Sequence, residues 1–166
     1  MTVASVEVSP QPVPLACGHC GVTHAPVAQA ICPECLGPLE PVYDPTRRLP
    51  SREEIASRPP SLWRYREWLP FQGTPVHSLD TGFTPLVEAP RLADLLGVGR
   101  LWIKNDTVTH PTLSFKDRVV ATAINAAVGL GLRTIACAST GNLAIAVGAH
   151  AARAGLPAWV LVPETL

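Results

Sequence analysis

Two cysteine pairs limit the possible folds of this chain more than any other feature. "CGHC" and "CPEC" place Cys17, Cys20, Cys32 and Cys35 in the order C-x2-C, eleven residues, C-x2-C. A segment so short has no core of its own, so the thiols must organise it. Two such knuckles can set four sulfurs tetrahedrally around Zn²⁺. Gly18, Gly21 and Gly37 allow the tight turns that aim backbone N–H groups at the sulfurs. The central spacing is slightly short for the usual pattern. His19 and His24 are substitute ligands, although four cysteines suffice. Two disulfides, or a ribbon without metal, are the alternatives. A closed ligand set points to a structural ion, worth roughly 10–16 kcal/mol of apparent binding energy to a small lobe. Cys137, in "TIACAS", reads as a buried small hydrophobe.

From about residue 76 the pattern changes to alternating strands and helices. "LADLLGVG" reads as a short helix closed by glycine, and "RLWIKND" as a strand. "SFKDRVVATAINAAVGLGLR" reads as a helix with Ser114 as N-cap and its end at Gly129 and Gly131. "TIACAS" and "AWVLVP" are apolar strands, separated by the helix "TGNLAIAVGAHAARAG", which ends at Gly155. Apolar strands alternating with helices predict an α/β fold with a parallel sheet. Four segments follow: a proline-rich tail (1–14, extended or disordered), a zinc-ribbon-like segment (15–40), an irregular linking lobe (41–75) and an α/β part (76–166). "SREE", Ser51 to Glu54, matches a capping box and predicts a short helix.

Thirteen basic and thirteen acidic side chains give zero formal net charge, which offers nucleic acid or an anionic membrane no broad attraction. "WRYREW" is therefore read as packing aromatics (Trp63, Tyr65, Trp68), with Arg64 and Arg66 in ion pairs, rather than as a base-stacking platform. No secretory signal and no long apolar span is visible, so a cytoplasmic location is expected.

Two stretches carry chemistry. In "HPTLSFKDRV", Lys116 stands at a helix start, where the helix dipole disfavours an ammonium, as burial also would. A neutral amine there suits Schiff-base chemistry; the plain alternative is a first-turn lysine paired with Asp117. "STGN", Ser139 to Asn142, joins an apolar strand to a helix N-terminus. Such a loop presents N–H groups, hydroxyls and the helix dipole to an anion, or merely caps the helix. His110 and His150 are read as structural, although His110 lies near Lys116 in the chain.

"SFKDR" followed by "STGN" resembles the pyridoxal phosphate enzymes of the tryptophan-synthase-β-like fold. "LWRYREWLP", "TGFTPL" and "HPTLSFKDR" are similar to threonine synthases, some of which also carry an N-terminal cysteine-knuckle segment. The resemblance covers roughly residues 15 to 166. It implies that Lys116 bonds covalently to pyridoxal 5′-phosphate and shuttles protons, and that Asn142 hydrogen-bonds the cofactor's 3′ oxygen. Ser139, Thr140 and Gly141 would receive the α-carboxylate of an amino-acid substrate. The reaction implied is conversion of O-phospho-L-homoserine and water to L-threonine and phosphate, by a homodimer when complete. Threonine dehydratase, cysteate synthase and cysteine synthase are alternatives within the superfamily; a zinc-ribbon interaction module is one outside it.

Two departures matter. Leu113 stands where family members usually have glycine, and "KND" at Lys104 to Asp106 is not the commonest form. A leucine there would crowd the cofactor or change the loop's backbone angles. The family's glycine-rich phosphate cup and the residue facing the pyridine nitrogen are not found in this sequence. The chain is therefore expected to be an inactive N-terminal part of a longer or split protein.

Overall fold

Prolines and short polar strands occupy the front of the chain. The computed structural model describes residues 10–165. Residues 1–9 of the predicted tail lie outside them. The tail's end is extended, as its prolines predict, but it is paired rather than free. β1 (Gln11–Pro12) runs antiparallel to β5 (Phe71–Gln72), with Pro12 opposite Phe71. Proline is tolerated on such an edge because only one side of the strand needs donors. Pro10 and Val13 are buried, and a Cβ on Gly129 would meet the Pro10 carbonyl oxygen at 2.2 Å. Glycine at 129 thus lets the front of the chain lie directly on the main helix.

The ribbon is a three-stranded antiparallel sheet in the order β3 (Thr23–His24), β2 (Leu15–Cys17), β4 (Leu39–Pro41). In the linking lobe, α1 (Arg52–Ser57) begins at the predicted capping box. The Glu54 N–H donates to Ser51 Oγ at 3.2 Å, and the Ser51 N–H to the Glu54 carboxylate at 2.6 Å. Two short 3₁₀ turns then span Leu62–Trp68, with a kink at Tyr65. Trp63 packs on Phe71 at 6.0 Å between centroids, and its indole N–H donates to Ser78 Oγ. The two arginines divide. Arg66 forms the expected ion pair, with Glu67 at 3.6 Å, whereas Arg64 donates to the Ala56 and Arg58 carbonyls and covers the Phe83 ring. The strong pair is Arg58 with Glu67, two hydrogen bonds of 2.7 Å, because Arg58 is half-buried and its planar fork matches the carboxylate.

The α/β part is only partly a parallel sheet. β6 (Leu86–Glu88) and β7 (Trp102–Lys104) form an antiparallel pair around α2 (Pro90–Leu96), which closes on Gly97 at φ 65°. The predicted "RLWIKND" strand therefore does not join the later strands. β8 (Ile135–Ala138) and β9 (Ala158–Leu161) are parallel and in register from Ile135–Ala158 to Ala138–Leu161. α3 (Lys116–Gly129) precedes β8, and α4 (Asn142–Ala154) crosses from β8 to β9. Their shared core is Val120, Ile124, Ala146, Val147 and Ala151, with Ile135, Cys137, Leu143, Ala154 and Leu156 against it. Cys137 is half-buried there, a less enclosed place than its sequence suggests. Both helices stop where glycine takes a left-handed conformation. Gly131 has φ 76° and Gly155 φ 66°, and the N–H groups of Leu132 and Leu156 reach back to Ala127 and Ala151. Among the described residues, no helix is long and apolar enough to cross a membrane.

Candidate active site and metal centre

The four predicted thiols converge. Their Sγ atoms lie within 4.8 Å of one another, with Cys17–Cys35 at 3.4 Å and Cys20–Cys32 at 3.8 Å. Four sulfurs tetrahedral around Zn²⁺ at about 2.3 Å would be about 3.8 Å apart, so the donor set fits that ion. The cysteines are free thiols, not disulfides. Each knuckle closes in the same way. The Cys17 N–H donates to Val22 O and the Gly21 N–H to Cys17 O; the Cys32 N–H donates to Gly37 O and the Leu36 N–H to Cys32 O. Gly21 (φ 74°) and Leu36 (φ 61°) thus hold equivalent left-handed positions, one with glycine and one with leucine. Gly37 has a different reason: a Cβ there would meet His19 Cβ at 2.7 Å and Cys17 Sγ at 2.9 Å. The Cys20 and His19 N–H groups point at Cys17 Sγ and hold its thiol below the ordinary 9.0, at about 6. The Gly37 N–H favours a thiolate at Cys35, but the Cys17 sulfur and burial outweigh it and push it up to about 12. His24 Nε2 is 3.6 Å from Cys32 Sγ, beside the four sulfurs rather than among them.

Around Lys116 the backbone is tied while the amine is free. The helix begins at Lys116, with Phe115 at the cap position; Ser114, the predicted cap, still accepts the Lys116 N–H at 3.2 Å. The Asp117 N–H donates to Ser114 O, and the Leu113 N–H to Thr109 O. Thr112 donates its N–H and its hydroxyl to Asp117, each at 2.9 Å. Asp117 therefore pairs with the loop, not with Lys116. Among the described residues no hydrogen bond engages the half-buried Lys116 amine, whose Nζ lies 4.6 Å from the Phe115 ring centroid. Leu113 has φ 59°, so the loop keeps a glycine-like backbone despite its leucine, whose side chain points outward at 67% exposure.

The departing "KND" segment proves to be a brace. Arg118 donates from Nε and Nη2 to the two Asp106 oxygens at 3.2 and 2.9 Å, and from Nη2 to Thr84 Oγ1. Thr84 Oγ1 donates in turn to Asp106, and Lys104 Nζ donates to the Thr84 carbonyl. The Arg118 guanidinium holds the Asp106 carboxyl below the usual carboxylate range. "TGFTPL", "KND" and "SFKDR" thus meet at one point. One sequence signal was there to be found: Lys104 and Lys116 are the only lysines among the thirteen basic residues. Among the described residues, Lys104 has its amine engaged and Lys116 does not.

Ser139, Thr140, Gly141 and Asn142 sit at the carboxyl end of β8, where α4 begins. The Ser139 N–H extends the parallel ladder to Leu161 O, and its Oγ accepts the Gly141 N–H at 3.2 Å. Among the described residues no side chain caps α4. Thr140, Gly141 and Asn142 are exposed, and Ser139 and Thr140 line a groove of about 450 Å³ together with Leu161, Val162 and Pro163. Uncapped helix N–H groups at a strand's carboxyl end suit an anion. No hydrogen bond among the described residues joins Lys116 to this loop. The polar contact between the two helices is Asp117 with His150 Nε2 at 3.2 Å, eight residues beyond Asn142.

Asn125 carried no sequence signal. It is fully buried in α3, accepts the Val76 and His77 N–H groups, and donates to the His77 and Ala121 carbonyls. One side chain thereby fastens the start of the α/β part to its main helix.

Comparison with known proteins agrees with this architecture. Threonine synthase of Methanosarcina acetivorans is 37% identical over 150 residues, 90% of this chain and 36% of its own. That of Methanocaldococcus jannaschii is 37% identical over 151 residues, 89% of this chain and 37% of its own. That of Synechocystis is 45% identical over 102 residues, 60% of this chain and 26% of its own. The chain spans about a third of the length of the curated relatives it matches over most of its residues. Residues 77–166, which hold Lys116, the 139–142 loop and the core between α3 and α4, match the profile described as pyridoxal-phosphate dependent enzyme, and the chain belongs to that family.

Proposed function

We propose that the whole protein is a threonine synthase, converting O-phospho-L-homoserine and water to L-threonine and phosphate. The relatives' names support threonine as the product, and the substrate is the one that the family resemblance implies. The single observation that carries the chemistry is the Lys116 amine, free of hydrogen bonds among the described residues, on a backbone fixed by Ser114 and Asp117.

The residues fit pyridoxal 5′-phosphate: an available amine at one helix start, and an uncapped helix N-terminus with polar side chains at the other. When bound, the cofactor supplies an electron sink for carbanionic character on the substrate. Lys116 holds it through Nζ and, once released, takes and returns protons at that same nitrogen. Asn142 donates a hydrogen bond to the cofactor's 3′ oxygen. Ser139, Thr140 and Gly141 offer hydroxyl and N–H donors to the substrate α-carboxylate, aided by the helix dipole. Leu113, with its side chain outward, leaves the loop its glycine-like backbone. Cys17, Cys20, Cys32 and Cys35 hold a structural Zn²⁺ that takes no part in the reaction. We assign the whole protein to the cytoplasm as a homodimer, with no nucleic-acid or membrane partner.

The test is phosphate release from O-phospho-L-homoserine by the whole protein. Steady release, reduced to background by Lys116→Ala, is the expected result. Absence of release with Lys116 intact would move the assignment to a sister enzyme with another leaving group.

A further inference from the structure

The machinery just described leaves one buried titratable pair without a task. Asp117 is fully buried and His150 is 4% exposed, on different helices. A carboxylate only accepts hydrogen bonds, so His150 carries its proton on Nε2 and donates it to Asp117 Oδ1. The Thr112 N–H donates to Oδ2, and the Thr112 hydroxyl reaches both oxygens. The carboxylate is thus clamped between α4 and the loop that leads into Lys116. Removing the His150 donor would leave the two oxygens only the Thr112 N–H and the one Thr112 hydroxyl proton, so the buried carboxylate loses one of its three donors. Such a group turns towards water, and Thr112 would move with it.

We propose that His150 is a positioning residue for Lys116, acting through Asp117 to fix the loop of residues 110–116. The proposal rests on the reading of Lys116 as the residue that holds pyridoxal 5′-phosphate. His150 touches no reacting atom; it sets the place from which the amine is presented. A purely structural role would require only that the space be filled. The positioning role requires a donor at the Nε2 position.

Two readouts test this on the full chain: hydrogen exchange of the Thr112 amide, and borohydride-stable labelling by pyridoxal 5′-phosphate, mapped by peptide mass. Lys104, whose amine is engaged by the Thr84 carbonyl, serves as the internal reference. In the wild type, label should favour Lys116 over Lys104. His150→Phe fills the space without a donor. It should speed Thr112 exchange at least about fivefold, the factor one net hydrogen bond carries, and lower the Lys116-to-Lys104 ratio by a similar factor. His150→Gln, which keeps a donor, should restore both to within about twofold of wild type, well inside that same factor. Thr112→Val breaks the clamp from the loop side, should act like His150→Phe, and keeps the test open if the latter fails to fold. Unchanged exchange and labelling in His150→Phe and Thr112→Val, or no rescue by His150→Gln, would overturn the proposal. A wild-type chain with no preference for Lys116, whose Thr112 exchange still responds, would instead overturn the cofactor reading, and the role proposed here with it.

Discussion

The ribbon and the α/β part solve the same problem with opposite means. Between residues 15 and 41 the buried residues are Cys17, Cys32 and Gly37, while Val22, Ile31 and Leu36 are exposed. Between α3 and α4 the buried residues are aliphatic, and the polar ones, Asp117, Asn125 and His150, are all hydrogen-bonded. One region is organised by sulfur around a point, the other by apolar area removed from water. Loss of the point should therefore be all-or-none for the ribbon, whereas damage to the core should be graded.

The sharpest way to break this contrast is to deny the four thiols the Zn²⁺ proposed for them. Chelation, or Cys32→Ser, should remove about 10–16 kcal/mol of apparent binding energy from the ribbon and none from the core. Amide exchange of Gly21 and Leu36 should collapse while that of Ile124 stays slow; persistent protection at Gly21 would refute the contrast. Next in size, Ile124→Ala should cost about 2–5 kcal/mol in denaturant melts through a cavity between α3 and α4, with zinc stoichiometry unchanged. Asn125→Leu comes third. It strands the Val76 and His77 N–H groups, and should cost about 1–3 kcal/mol with early exchange at those two amides. Leu36→Gly and Leu113→Gly form a matched pair, one in each region. Each relieves a left-handed leucine and should gain about 1 kcal/mol, measured as a shift of the respective transition. A loss at either site would mean the leucine side chain earns its place through packing.

The last prediction concerns pH and only the α/β part. Burial lowers the His150 pKa below the ordinary 6.5, although the Asp117 carboxylate and hydrogen bond oppose it. The unfolded chain then takes up a proton before the folded one does. Stability contributed by neutral His150 is full above pH 6.5 and falls as pH drops below it, levelling off only beneath the folded value. His150→Gln should flatten that part of the stability profile in melts compared across pH.

What the sequence discloses is what neighbours along the chain decide. The Ser51–Glu54 capping box, the stops at Gly97, Gly131 and Gly155, and the two cysteine knuckles each depend on residues a few positions apart. Lys116 at a helix start and the 139–142 loop after a strand were legible for the same reason. What stayed hidden depends on distant partners. The pairing of Gln11 with Gln72, the clamp of Asn125 on His77 and the bond between His150 and Asp117 leave no periodic trace. Apolar composition marks Trp102–Lys104 as a strand but does not say which neighbour it will pair with, and it pairs antiparallel with Leu86–Glu88 instead of joining the parallel strands. Ion pairs divide likewise: Arg66 pairs with Glu67, yet Arg64, also charged and close to acids in sequence, is claimed by backbone carbonyls and an aromatic face.

The scarcity of lysine has a practical reach. A protease that cuts only after lysine would divide these residues into 1–104, 105–116 and 117–166. The middle fragment is a twelve-residue peptide that ends at the free amine. Any reagent or metabolite that caps that nitrogen would leave 105–166 in one piece, so a single gel band or mass would report whether the amine had been consumed.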